Sequence, residues 1–136
     1  MSGIEELFAA AAQARARAYA PYSRFAVGAA IRGADGGLYL GCNVENAAYP
    51  SGTCAEQSAI GAMVAAGERR IAEIAVIGPG AQPVTPCGAC RQRIREFADR
   101  ATRIHAGAAD GARAAFTLAE LLPESFGPDF LPGAAP

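Results

Sequence analysis

The chain has 136 residues and a formal net charge of −1, and all 12 of its cationic side chains are arginines. That length fits one domain with a core of its own, and the lack of a long basic run excludes a nucleic-acid partner held by charge. Apolar residues are 51% and charged residues 18% of the chain, which excludes a disordered polymer, and no apolar run approaches the ~20 residues that span a bilayer. The opening Met1-Ser2-Gly3-Ile4-Glu5-Glu6 has no basic segment of the kind that begins a secretory leader. A cytoplasmic chain is therefore expected, and in that compartment its four cysteines point to metal binding or catalysis rather than disulfides.

Taken in order, Ser2 and Glu5 have capping-box spacing, and Ile4, Leu7, Phe8 and Ala11 recur at helical spacing. A helix is expected over residues 3–19, stopped by Pro21, because proline disfavours helix in the residue before it. Phe25, Val27, Ala29 and Ile31 alternate as a first strand. Ala34-Asp35-Gly36-Gly37 is a hairpin turn, and Leu38, Leu40, Cys42 and Val44 alternate as an antiparallel second strand. Cys42 shares a face with apolar residues and is read as a buried core thiol. Asn43 and Glu45 leave this strand into a polar stretch, where turn chemistry and hydroxyl binding are both open readings.

Residues 54–66 read as a small-residue helix stopped by Gly67. Ile71, Ile74, Val76 and Ile77 form the nearly continuous apolar run of a strand covered on both faces. A loop over 79–86 leads to a helix over 88–98, whose Arg91, Arg93 and Arg95 are read as a solvated face. Arg91, next to Cys90, is the exception expected to reach the thiolates. Residues 103–107 and 112–116 are two short strands joined at Ala109-Asp110-Gly111, with His105, the lone histidine, in a structural role. Thr117 and Glu120 repeat the capping-box pattern, and a proline- and glycine-rich tail from Glu124 carries Phe126 and Phe130. The order implies a three-layer α/β/α sandwich around one mixed five-stranded sheet, a single domain over 1–136, with two helix starts placed to converge at one edge.

Those two helix starts carry the chemistry. They are Thr53-Cys54-Ala55-Glu56-Gln57-Ser58-Ala59 and Pro86-Cys87-Gly88-Ala89-Cys90-Arg91-Gln92. A thiol at a helix N-terminus feels the positive end of the macrodipole, which favours the metal-binding thiolate. Cys54, Cys87 and Cys90 can fill three corners of a tetrahedron around Zn²⁺ and leave the fourth open for water, the pattern of a catalytic site. Glu56 is poorly placed as a fourth ligand on the same turn and well placed as a base working on that water. A redox Cys-x-x-Cys would need neither Cys54 nor Glu56. A closed structural site, with His105 as fourth ligand, would leave Glu56 without a role. Only a hydrolytic zinc site uses all four residues.

This constellation resembles the zinc-dependent deaminases, and within them the small homotetrameric cytidine deaminases that act on free nucleosides. The likeness runs through Ala20-Pro21-Tyr22-Ser23-Arg24-Phe25, Gly41-Cys42-Asn43-Val44-Glu45-Asn46-Ala47-Ala48-Tyr49, Cys54-Ala55-Glu56, the Pro86–Gln92 segment and Leu121-Leu122-Pro123-Glu124-Ser125-Phe126. The resemblance implies hydrolysis of cytidine and 2′-deoxycytidine to the uridines with release of ammonia. One zinc per subunit would sit on Cys54, Cys87 and Cys90, with Glu56 moving protons. It further implies Phe25 stacked on the pyrimidine, Asn43 and Glu45 on a ribose hydroxyl, and the Ala55 backbone on the base. Tyr49 and Phe126 would reach neighbouring subunits of a homotetramer. Members with cysteine ligands commonly carry arginine after the glutamate to offset thiolate charge, and Gln57 departs from that pattern. A deaminase of another aminopyrimidine nucleoside or nucleotide is the alternative enzyme, and a zinc-stabilised interaction module is the alternative without catalysis.

Overall fold

The computed structural model describes residues 2–131 and 133. Five strands form one mixed sheet in the order β2-β1-β3-β4-β5. The strands are β1 (Gly28–Gly33), β2 (Leu38–Cys42), β3 (Ile71–Gly78), β4 (Arg103–Ala108) and β5 (Arg113–Thr117). β1 pairs antiparallel with both β2 and β3, β3 runs parallel to β4, and β5 returns antiparallel to β4. Helices α1 (Gly3–Arg15), α2 (Ala55–Ala65), α3 (Gly88–Phe97) and the short α4 (Leu118–Leu121) complete the fold. A parallel β3–β4 pair requires a crossover, and α3 supplies it.

The apolar pattern decides which helix covers which face. Alternate residues of a strand point to opposite faces. Ala30 and Ala75 pack against Leu7, Phe8 and Ala11 of α1, while Ala29, Ile31, Ile74, Val76 and Ile104 pack against Ala59, Met63, Ile94 and Leu118 of α2, α3 and α4. β3 is thus buried on both faces, as its unbroken apolar run requires. The result is the expected α/β/α layering, with α1 alone on one side and the three later helices on the other.

Two ends differ from the sequence reading by more than two residues, and β2 ends at Cys42, short of Val44. α1 stops at Arg15 rather than 19, because the Tyr19 backbone pairs with the chain beyond β2: Tyr19 N–H donates to Asn43 O at 3.0 Å and Glu45 N–H donates to Tyr19 O at 2.9 Å. β1 begins at Gly28, and Phe25 and Val27 stand outside it. The Asn43 side chain meets two of their backbone groups, Oδ1 accepting Val27 N–H at 2.9 Å and Nδ2 donating to Phe25 O at 2.8 Å, while the Asn43 backbone N–H donates to Val27 O at 3.2 Å.

The capping expectations divide. Thr117 and Glu120 form the full reciprocal box. Ser2 Oγ accepts Glu5 N–H at 3.2 Å, but the Glu5 carboxylate turns to Arg113 at 2.6 Å instead of back to the helix start. His105 lies on the α1 face of β4, its Nε2 2.9 Å from Glu73 Oε1 and its ring edge-on to Phe8.

The seat of α2 on the sheet is set by glycine. A Cβ on Gly41 would fall on the backbone of Ala55 and Ala59, so only glycine lets β2 approach the first turns of α2. Gly41→Ala must push that helix away and is expected to destabilise the fold by about 1–3 kcal/mol. Urea unfolding at fixed protein and zinc concentration measures this, and an unchanged midpoint would contradict it.

Candidate active site

Cys54 and Cys87 are the N-cap residues of α2 and α3, both with extended backbone. Cys90 follows on the first turn of α3. This layout brings the three sulfurs within 4.8 Å of one another. A tetrahedral zinc site with bonds near 2.3 Å has sulfurs about 3.8 Å apart, so a small inward adjustment of the thiols would seat the ion. Three soft sulfur donors suit zinc rather than magnesium or calcium. The site grades from outside to inside: Cys87 is exposed, Cys54 half-buried and Cys90 buried. Cys42 is a half-buried thiol on the α1 face of β2, not part of this cluster and not fully in the core.

Local sequence holds the cluster in place. Gln57 Oε1 accepts Cys54 N–H at 3.4 Å, closing the start of α2, and Ser58 Oγ donates to Cys42 O at 3.1 Å, tying that start to β2. Arg91 corrects the sequence expectation. Its guanidinium turns away from the sulfurs, donating to Pro86 O at 2.7 Å, Leu121 O at 2.9 Å and Thr85 Oγ1 at 3.3 Å. It therefore anchors the loop that delivers Cys87. The guanidinium that does reach the cluster is Arg93, whose Nη1 donates to Cys90 Sγ at 3.5 Å. Nor are Arg91, Arg93 and Arg95 a solvated face, since all three are half-buried. The signal for Arg93 was present in its position three residues after Cys90, the spacing that puts two helical side chains side by side.

Burial dominates the electrostatics. It pushes the Cys54 thiol up, and it pushes Cys90 up further, with the charges of Glu56 and the neighbouring thiols acting the same way. Cys87 is also desolvated, yet the amides of Cys90 and Ala89 outweigh this and hold it below the ordinary thiol range. The helix-start effect expected for all three thiols thus prevails only at the exposed one. Without a cation, the buried thiols resist becoming the three thiolates that the motif calls for. Glu56 is buried at 5% exposure, and desolvation lifts its carboxyl above the usual range against the opposing charge of Arg93. A carboxyl raised in this way takes up a proton more readily than one in water.

A cavity of about 370 Å³ opens onto this cluster, within the roughly 300–1,000 Å³ of small-molecule sites. Cys54, Ala55, Glu56 and Cys87 form one wall, and Phe25, Asn43, Glu45 and Tyr49 are also in its lining. Val27, Val44, Thr53, Val84 and Thr85 complete much of it, and the sequence reading did not single these out. Phe126 is not in the lining. It stacks on Phe130 at 5.2 Å between ring centroids, and its carbonyl accepts from Gln92 Nε2 at 2.8 Å. Tyr49, 78% exposed, lines the cavity of its own chain and leans on Tyr22. Asn43 and Glu45 do turn chemistry here. Asn43 holds residues 25–27, and Glu45 Oε1 accepts the amides of Tyr22 and Ser23 at 3.0 Å each while Oε2 accepts the Ser23 hydroxyl. Their presence in the cavity lining leaves hydroxyl binding open to them as well.

Comparison with known proteins agrees with this geometry. Residues 1–106 match the family model described as the cytidine and deoxycytidylate deaminase zinc-binding region. The chain is 42% identical over 132 residues to a cytidine deaminase of Sporosarcina psychrophila, covering 97% of both chains. It is 44% identical over 116 residues to a cytidine deaminase of Halalkalibacterium halodurans, covering 85% of this chain and 88% of that one. The crystal structure of cytidine deaminase from Burkholderia pseudomallei superposes with a TM-score of 0.87 at 42% identity, covering 93% of this chain and all of the other.

The Ser23 hydroxyl first, then the amides of Ser23 and Tyr22, hold the Glu45 carboxyl below its usual range. Because the folded-state value is depressed, the anchoring is present above the ordinary glutamate value and is lost as pH falls through the lowered one. The Tyr22 and Ser23 amide resonances should therefore stay fixed above about pH 4.3 and move only below it. A midpoint at or above that value would contradict the anchor.

Proposed function

The chain belongs to the zinc-binding cytidine and deoxycytidylate deaminases, and we propose that it catalyses the hydrolysis of cytidine and 2′-deoxycytidine to uridine and 2′-deoxyuridine, releasing ammonia, as one domain in the cytoplasm. The observation that carries this reading is the buried carboxyl of Glu56 and a cluster of three cysteine sulfurs, with Glu56, Cys54 and Cys87 lining one cavity. Cys54, Cys87 and Cys90 are the residues that would hold zinc. Bound there, the ion would supply Lewis-acid activation of water, lowering its pKa toward neutrality.

The chain's own groups do the rest. Glu56 accepts a proton from the attacking water and delivers it to N3 of the pyrimidine, which makes C4 electrophilic. The water oxygen bonds to C4, and Glu56 then carries the remaining proton of that new hydroxyl to the amine as the C4–N bond breaks and ammonia leaves. Its burial suits the uptake of each proton, because a desolvated carboxyl is a stronger base than one in water. Phe25 offers a ring for stacking on the pyrimidine, and the Ala55 backbone, next to Glu56, holds the base edge. Asn43 and Glu45 receive the ribose hydroxyl, which is consistent with Glu45 having lone pairs left after its contacts with Tyr22 and Ser23. The Glu45 carboxylate also favours a nucleoside over a nucleotide, since it repels a phosphate.

The working unit is a homotetramer whose sites are shared between subunits. Supporting this, Phe126 is 56% exposed and Phe130 60%, and Phe126 is absent from the cavity lining of its own chain. Tyr49, the other aromatic assigned to a neighbouring site, lines the cavity of its own chain, and its 78% exposure leaves it free to face a neighbour as well. Light scattering on active protein should find a closed tetramer, and a fully active monomer would contradict the shared site.

Glu56→Gln is expected to keep about one zinc per chain and to lose at least ~10²–10⁴ in kcat on cytidine. The fall in ultraviolet absorbance as cytidine is consumed reads the rate, and metal analysis reads the zinc. Turnover within tenfold of the unsubstituted enzyme would remove Glu56 from the role. In a panel of aminopyrimidines, a strong preference for a nucleotide would overturn the assignment of Glu45.

A further inference from the structure

Zn²⁺ with three thiolates carries one net negative charge, and an ionised Glu56 adds a second in a half-buried site. The groups around the cluster differ in whether they can offset this. Gln57 is neutral, and its side-chain oxygen is committed to Cys54 N–H. Arg91 is committed to Pro86, Leu121 and Thr85, and Arg95 to Ser125 and Asp129. Arg93 alone among the described residues places a guanidinium on one of the three sulfurs, donating to Cys90 Sγ at 3.5 Å. None of the described ion pairs joins Arg93 to a carboxylate. Its charge is thus directed at the cluster rather than spent in a surface pair.

We infer that Arg93 is a positioning residue of the metal centre: its fixed charge and its hydrogen bond to Cys90 Sγ stabilise the thiolate set that retains zinc. A charge-assisted hydrogen bond to sulfur offsets the negative charge of a metal-bound thiolate and holds that ligand in place. The sulfur it meets is the one fully buried sulfur of the three. Helix geometry supplies the reach, because residues three apart on α3 face the same way. The inference rests on the zinc-deaminase reading but concerns retention of the ion, which is measured without turnover.

The test is the rate at which zinc-loaded protein surrenders its metal to a coloured chelator in excess. Arg93→Gln should release zinc roughly 10–100-fold faster, the usual scale for loss of an outer-shell partner. Arg93→Lys keeps the charge and should stay close to the unsubstituted rate. Arg95→Gln removes a neighbouring half-buried arginine without touching sulfur and should leave the rate unchanged. If Arg93→Gln does not fold, Arg93→Met keeps much of the side-chain volume and should show the same fast release. Release from Arg93→Gln or Arg93→Met at the unsubstituted rate would overturn the inference and leave the deaminase reading standing. So would Arg93→Lys releasing as fast as Arg93→Gln, since shape and not charge would then be responsible. A purified protein that binds no zinc at all would overturn both.

Discussion

Three thiol sulfurs within 4.8 Å of one another, with a carboxyl buried beside them, can be ionised together only around a cation. Much of the structure around the site follows from that constraint. The buried thiols are pushed away from ionisation in the protein alone, and Glu56 is lifted with them. A metal reverses the balance at the sulfurs, because thiolate is a ligand and thiol is not. On the role proposed for it, the carboxyl stays outside the ligand set and carries protons. One electrostatic problem thus separates the role of Glu56 from that of the three clustered cysteines.

The fold's part is to bring two helix starts together. α2 and α3 share the same face of the sheet, each entering after a loop, and each offers an N-cap cysteine. Close seating is possible because the contact surfaces are small: Gly41 under α2, and Ala55 and Ala59 on its inner side. The loop before α3 is held by Arg91, whose three hydrogen bonds bind it to α4. Also in the cavity lining, Asn43 and Glu45 brace the segment that carries Phe25. The site is therefore built from braced loops over a rigid sheet, the usual division of labour between scaffold and chemistry.

The parts of this arrangement legible in the sequence were those encoded within one turn or one strand. N-cap cysteines, the glutamate two residues on, the alternation of β2 and the apolar run of β3 all express local geometry, and the structure places them as that geometry requires. The rest depended on contacts between distant segments. α1 ends early because Tyr19 pairs with residues beyond β2, a partner that no helical periodicity can reveal. Phe25 and Val27 alternate like a strand, yet the Asn43 side chain takes two of their backbone groups first. Arg91 looked closest to the thiolates along the chain, but helix geometry aims Arg93 at them instead. The depressed thiol pKa expected from the helix macrodipole was offset at Cys54 and Cys90 by burial, which is a property of the packed fold and not of the motif.

The central claim is that three cysteines hold zinc with one position left open, beside a carboxyl that is not a ligand. X-ray absorption at the zinc edge of the loaded enzyme tests it most directly. The account predicts three sulfur neighbours near 2.3 Å and one oxygen or nitrogen neighbour near 2.0–2.2 Å, with the lighter neighbour persisting in Glu56→Gln. A shell of four sulfurs would describe a closed structural centre and contradict it, as would loss of the lighter neighbour when Glu56 is replaced.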